Sequence, residues 1–284
     1  MAHATEVVVP GLAYAEGLRW HDDALWFSDM LRHQVMRYAP TTGTEVIADV
    51  RAPSGIGFAP DGAAYVVSRD DEALIRVAPG PPETVADLAA IGMLRANDMV
   101  VDARGRAFIG CLGKEYEAGD EHREWDGGAP GTVAFLDLSG AAPFSGAIVA
   151  GDLGCPNGMV VSESGDVLYL AETYGKRVLA YQIGTDGALT DRRVVAEFDT
   201  VVDGLERDGD DMWVAAGPRF ARIDVTGQTI DEVAAPPGMT AITCALGGDT
   251  GRTLYMAFAV VDMEEFVAGR SRSEIRTVEF PPRY

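Results

Sequence analysis

Residues 156–173 read PNGMVVSESGDVLYLAET. A polar residue, Asn157, leads a short apolar run, a turn rich in Ser, Gly and Asp follows, and a second run of β-branched and aromatic side chains carries Tyr169. The same phrase recurs as EGLRWHDDALWFSD from Glu16, SGIGFAPDGAAYVVS from Ser54, NDMVVDARGRAFIG from Asn97, DGLERDGDDMWVAA from Asp203 and TCALGGDTGRTLYMAF from Thr243. The aromatics Trp26, Tyr65, Phe108, Tyr169, Trp213 and Tyr255 follow one another at intervals of 39, 43, 61, 44 and 42 residues. A period near 40 residues with several short strands and tight turns per unit is that of a propeller blade rather than of a helical solenoid. The expectation is an all-β, six-bladed β-propeller occupying residues 1–284 as a single domain.

Strand runs read as ALWFSD, QVMRYAP, AAYVVSR, LIRVAP, RAFIGCL, TVAFLDL, VLYLAET, RVLAYQI, DMWVAAG, FARIDV, TLYMAFA and EIRTVEF, with turn dipeptides at Asp61-Gly62, Asn157-Gly158, Asp186-Gly187 and Asp208-Gly209. A ring of blades must close, and TEVVV at residues 5–9 can pair beside EIRTVEF and remove an exposed edge. The long interval reflects an insertion around residues 112–131, a loop expected to overhang the channel mouth.

Composition bounds the function classes. The chain is 47% hydrophobic and 24% charged, with a formal net charge of −21, which disfavours nucleic acid as a partner. No basic leader and no apolar run of membrane-spanning length is present, so a cytoplasmic protein is expected, as a monomer or small homo-oligomer. Cys111, Cys155 and Cys244 are odd in number and lack metal or disulfide spacing; they read as small buried hydrophobes. His3, His21, His33 and His122 fall in the tail, turns or loops and read as surface residues. Sequence signatures of serine hydrolases, zincins, P-loop proteins and dinucleotide-binding enzymes are missing.

In a propeller the innermost strand of each blade starts at one face, so Glu16, Ser54, Asn97, Asn157, Asp203 and Thr243 should ring a single opening. Glu16, Asn157 and Asp203 would then offer two carboxylates and an amide oxygen from three blades, a hard donor set suited to Ca²⁺, Mg²⁺ or Mn²⁺, with Zn²⁺ less suited. Taken singly, Asn157-Gly158 and Asp203-Gly204 also read as turns, and Glu16 as a solvated charge.

As an ordered set, EGLRW, SGIGFAPDG, RANDMVVDARGRAFIG, PNGMVVSESGDVLYLAET, VDGL and ITCALGGDTGRTLYMAF resemble the senescence marker protein (regucalcin) and gluconolactonase family of six-bladed propellers. The resemblance implies a metal-dependent lactonase acting on a sugar or small organic-acid lactone. It implies metal ligands at Glu16, Asn157 and Asp203, with Ca²⁺ the first expectation, and Asp203 is also the candidate general base because a carboxylate bound through one oxygen can present the other. It implies substrate contacts at Arg95, Asn97 and Glu115. Asn97-Asp98-Met99 stands where many relatives have N-D-G. The alternatives are an arylesterase or phosphotriesterase, favoured by an apolar mouth built from Met30, Met93, Met99, Tyr116 and Trp125, and a non-catalytic calcium-binding propeller.

Overall fold

The computed structural model describes residues 3–113 and 130–281. Strand β1 (Glu6–Leu12) is set aside by the chain until its end. The first blade is β2 (Ala15–His21), β3 (Ala24–Asp29), β4 (Gln34–Ala39) and β5 (Gly43–Asp49). The second is β6 (Pro53–Phe58), β7 (Ala64–Ser68), β8 (Ala73–Ala78) and β9 (Glu83–Asp87), and the third is β10 (Ala96–Val101), β11 (Arg106–Cys111), β12 (Gly131–Asp137) and β13 (Gly146–Leu153). The fourth comprises β14 (Pro156–Val161), β15 (Val167–Glu172), β16 (Arg177–Ile183) and β17 (Leu189–Glu197). The fifth comprises β18 (Val202–Asp208), β19 (Asp211–Ala216), β20 (Arg219–Ile223) and β21 (Thr229–Ala234). The sixth joins β22 (Thr240–Gly247), β23 (Thr253–Ala259) and β24 (Ser273–Glu279) to β1, which pairs antiparallel with β24, as Glu6 opposite Thr277 and Leu12 opposite Ser273. The expected closure is therefore observed.

Every sheet is four-stranded and antiparallel, the first five being meanders of consecutive strands, and the inner strands β2, β6, β10, β14, β18 and β22 pack side by side around the axis. Hydrophobic burial lies between blades rather than within them. Six apolar clusters fill the six interfaces, and each holds one of the aromatics of the sequence repeat: Trp26, Tyr65, Phe108, Tyr169, Trp213 and Tyr255. The register explains the spacing. Trp26 pairs with Arg19, Tyr65 with Gly57, Phe108 with Val100, Tyr169 with Val160 and Trp213 with Glu206, each partner standing three residues after its blade's polar leader. The repeat in the sequence is thus a hairpin register that delivers an aromatic side chain to each inter-blade core.

Regular helix among the described residues is confined to two 3-10 turns and to α1 (Met263–Val267), whose N-cap Asp262 accepts from the Glu265 amide at 3.1 Å. No helix among them is long and apolar enough to cross a membrane. All three cysteines are buried and take no part in a disulfide, as their sequence context implied.

Candidate active site

The inner strands all begin at the same mouth of the channel. Glu16, Ser54, Asn97, Asn157 and Asp203 are each the second residue of their strand, and Thr243 is the fourth of β22. Glu16, Asn97, Asn157 and Asp203 line a cavity of about 380 Å³, within the size range of small-molecule sites. Ser54 and Thr243 are fully buried and stay out of its lining.

Two of the expected turns are corrected. Asn157-Gly158 and Asp203-Gly204 lie inside β14 and β18, whereas Asp61-Gly62, Asp186-Gly187 and Asp208-Gly209 do mark turns or strand ends. The glycine is there for close approach. A Cβ at Gly158 would stand 2.4 Å from the Leu205 amide nitrogen and 2.7 Å from the Asp203 carbonyl, so neighbouring inner strands meet backbone to backbone. In the third blade that position is Asp98. Its carboxylate accepts from its neighbour's amide, Met99 N, at 2.7 Å and from Arg19 at 3.3 Å across the channel.

Neighbouring groups fix the leaders. The Asp29 carboxylate, at the end of β3, accepts from the amides of Ala13 and Tyr14, which sets the path of the chain into Glu16. At the end of β15, Glu172 accepts from Gly154 N at 2.8 Å and so sets the path into Asn157. A chain of hydrogen bonds runs from Ser54 Oγ to Asn97 Oδ1 at 3.1 Å, from Asn97 Nδ2 to Asn157 Oδ1 at 3.0 Å, and from Asn157 Nδ2 to Thr173 Oγ1 at 3.2 Å. Both amides are thereby oriented, and one lone pair of Asn157 Oδ1 is left over.

The carboxylates of this mouth are held against their preference for water. Burial pushes Glu16 up to about 8, with the Asp98 charge adding to the rise and Arg69 opposing it. Asp203 is raised well above the usual carboxylate range, first by burial and then by the charges of Glu16 and Asp98. Its Oδ1 is shielded from solvent and has no hydrogen-bond partner among the described residues. Burial and the charges of Glu16 and Asp203 likewise keep the Tyr14 phenol protonated, leaving it a donor. Among the described residues no three His, Cys, Asp or Glu side chains form a metal-binding cluster; the candidate donor set has two carboxylates and completes itself with an amide.

Arg95, in the left-handed backbone region at φ 57°, lines the same cavity. Glu115, His122, Tyr116 and Trp125 lie outside the described residues. The expectation of a methionine-built mouth is corrected: Met30 lines the cavity, but Met93 and Met99 are fully buried in the core between the second and third blades. The apolar wall comes instead from Tyr14, Leu31, Ile242, Val261 and, on α1, Phe266, whose ring meets Tyr14 edge-on at 4.9 Å.

Arg69, Tyr14, Thr173 and Phe266 were not legible as site residues. Arg69 and Thr173 had a usable signal, since the second strand of each hairpin runs back to the mouth where the first began. The residue just after β7 or β15 must therefore lie beside the leaders. Phe266 had none, because α1 interrupts the repeat.

An acid-bearing pocket at the axial mouth of a six-bladed propeller defines a class of protein, one in which side chains from separate blades converge on one cavity. Residues 14–260 match the model of the SMP-30/gluconolactonase/LRE-like region, and the chain belongs to that family. A pentonolactonase, XacC, from Haloferax volcanii is 27% identical over 275 residues, covering 90% of this chain and 84% of the relative. Among solved structures, a regucalcin from Agrobacterium tumefaciens, described as a calcium-binding protein, superposes with a TM-score of 0.78 at 19% identity, over 100% of this chain and 97% of that one. A gluconolactonase from Xanthomonas campestris does so with a TM-score of 0.75 at 20% identity, over 98% and 90%. At these identities the superpositions speak for the fold.

Proposed function

We propose that this chain is a divalent-cation-dependent hydrolase that opens a lactone ring, with Glu16, Asn157 and Asp203 holding the cation and Ca²⁺ the first candidate. The observation that carries the reading is the unbonded, solvent-shielded Oδ1 of Asp203, in a cavity shared with a second buried acid and an oriented amide oxygen. Two carboxylates so placed are both raised by burial and neither is in an ion pair among the described residues, a charge that a divalent cation would balance. The gluconolactonase-type family and the pentonolactonase relative support a lactone as the substrate, and the calcium-binding neighbour supports the ion.

When bound, the cation would polarise a carbonyl oxygen as a Lewis acid. The side chains do the rest. Asp203 takes the proton of the attacking water through the carboxylate oxygen not committed elsewhere. Asn97, locked between Ser54 and Asn157, presents its amide to a substrate oxygen. Arg95 and Glu115 are assigned to substrate hydroxyls, and the Tyr14 phenol is a donor beside the reacting groups. The apolar wall of Leu31, Ile242, Val261 and Phe266 favours, as a second reading, an aryl ester or phosphotriester.

A panel of sugar-acid lactones, simple lactones and aryl esters, assayed with and without EDTA, separates the readings. Lactone opening that EDTA abolishes and Ca²⁺ restores is expected. Turnover of aryl esters alone favours the second reading, and silence across the panel makes the chain a binding propeller.

A further inference from the structure

The cavity contains a cation that lactone hydrolysis as described above does not use. Arg69 follows β7 directly, at the mouth, and its backbone amide donates to Ala52 O at 3.1 Å, pinning it beside the first blade. Arg69 Nη1 lies 3.3 Å from the Met30 sulfur, a weak acceptor. Among the described residues no carboxylate lies within ion-pair distance of it, in a chain where Arg37, Arg51, Arg76, Arg106, Arg177 and Arg222 all have such partners.

The nearest acids in sequence are taken. Asp70, which also faces the cavity, is 3.6 Å from Arg51, and Asp71 is 2.8 Å from the same guanidinium and accepts from Ser68 Oγ at 2.9 Å. The loop thus holds both aspartates on Arg51, and Arg69, which lines the cavity, pairs with neither. The two acids there, Glu16 and Asp203, are the proposed partners of a divalent cation. With that charge balanced, Arg69 remains as a positive group without a counter-ion, half-buried, where a second anionic substituent of the substrate can meet it bidentately.

We propose that Arg69 is a specificity residue for a carboxylate on the substrate, so that the lactone this protein takes is the monolactone of a hydroxy-dicarboxylic acid. The proposal rests on the lactone reading above. A bidentate guanidinium contact to a carboxylate is a charge-assisted hydrogen bond whose loss costs about tenfold to a hundredfold in affinity.

The test is steady-state kinetics on matched six-carbon sugar-acid lactones, one ending in a hydroxymethyl group and one in a carboxylate. Wild type is expected to prefer the carboxylated lactone. Arg69→Ala should lose at least tenfold more kcat/KM on it than on the neutral lactone, mainly through KM, with Arg69→Lys recovering part of the difference. Equal losses on both lactones, or a wild-type preference for the neutral one, would overturn the assignment while leaving lactone hydrolysis standing. If neither lactone is opened with any divalent metal, the lactone reading itself fails, and calorimetric binding of the open-chain hydroxy-dicarboxylate then decides. Binding at least tenfold weaker in Arg69→Ala supports the anion site; equal binding, or none, overturns it.

Discussion

Asp203 and Asp102 face opposite mouths of one channel and are treated in opposite ways. Asp102, at the far mouth, lines a cavity of about 500 Å³. Its Oδ1 accepts from the amides of Arg104 and Arg106, both at 2.9 Å, and its Oδ2 from Arg106 Nε at 2.7 Å. Arg106 is itself tied to Gly165 O, so the buried charge pair is fully bonded and joins the third blade to the fourth. Asp203 has an oxygen with no bond and feels two like charges. A buried carboxylate with saturated partners is structural, whereas one left short in a cavity awaits a ligand.

That contrast is most sharply broken at the near mouth. Asp203→Asn is expected to reduce lactone turnover about a thousandfold at saturating metal, the middle of the range for loss of a general base, while the chelator-treated variant melts no lower than wild type because an unpaired acid has been removed. Full turnover by the metal-saturated variant eliminates Asp203 as base. Asp102→Ala should do the reverse. Leaving Arg106 buried without its partner costs about 3–5 kcal/mol of stability in chemical denaturation, with kcat per folded molecule close to wild type. A catalytic defect without a stability loss would erase the distinction between the mouths.

Smaller in effect, Gly158→Ala should cost about 1–3 kcal/mol, because a methyl cannot fit 2.4 Å from the Leu205 amide. It is also expected to weaken cation binding, since the same contact sets Asn157 beside Asp203. Unchanged stability would show that the inner strands are not held at backbone distance.

The smallest effect is a slope with pH. The folded pKa of Glu16 is raised from 4.5 to about 8, and those of Asp203 and Asp98 are raised as well. Over that window the folded chain binds more protons than the unfolded one, so the melting temperature of chelator-treated protein should fall as pH rises from about 4.5 to 8. Saturating Ca²⁺ should flatten or reverse the slope. A rise in melting temperature with pH in EDTA would contradict the assignment of buried, uncompensated acids.

Much of the fold was legible because burial in a propeller is periodic. The twelve strand runs read from the sequence became the second and third strands of the six blades, where both faces pack against neighbouring blades. The outermost strands of the first five blades were silent: β17 reads LTDRRVVAE and buries only Ala196, so solvent erases its alternation. Of the site, the leading oxygens Glu16, Asn97, Asn157 and Asp203 could be read because each opens an inner strand. Asn157-Gly158 looked like a turn since sequence cannot distinguish a glycine needed for a left-handed backbone from one needed for a close crossing. Arg69 was missed because its meaning depends on Arg51 holding Asp70 and Asp71, a pairing fixed only in three dimensions.

The central claim is that three blades hold one divalent cation on Glu16, Asn157 and Asp203. Calorimetric titration of Ca²⁺ into chelator-stripped protein near pH 7, run in two buffers of different ionisation enthalpy, tests it most directly. The account predicts one ion per chain, proton release on binding because the raised acids must ionise, and affinity lost by a hundredfold or more, on the order of 3 kcal/mol, in Glu16→Gln and Asp203→Asn. No binding heat, or binding that both variants retain with no proton release, would contradict it.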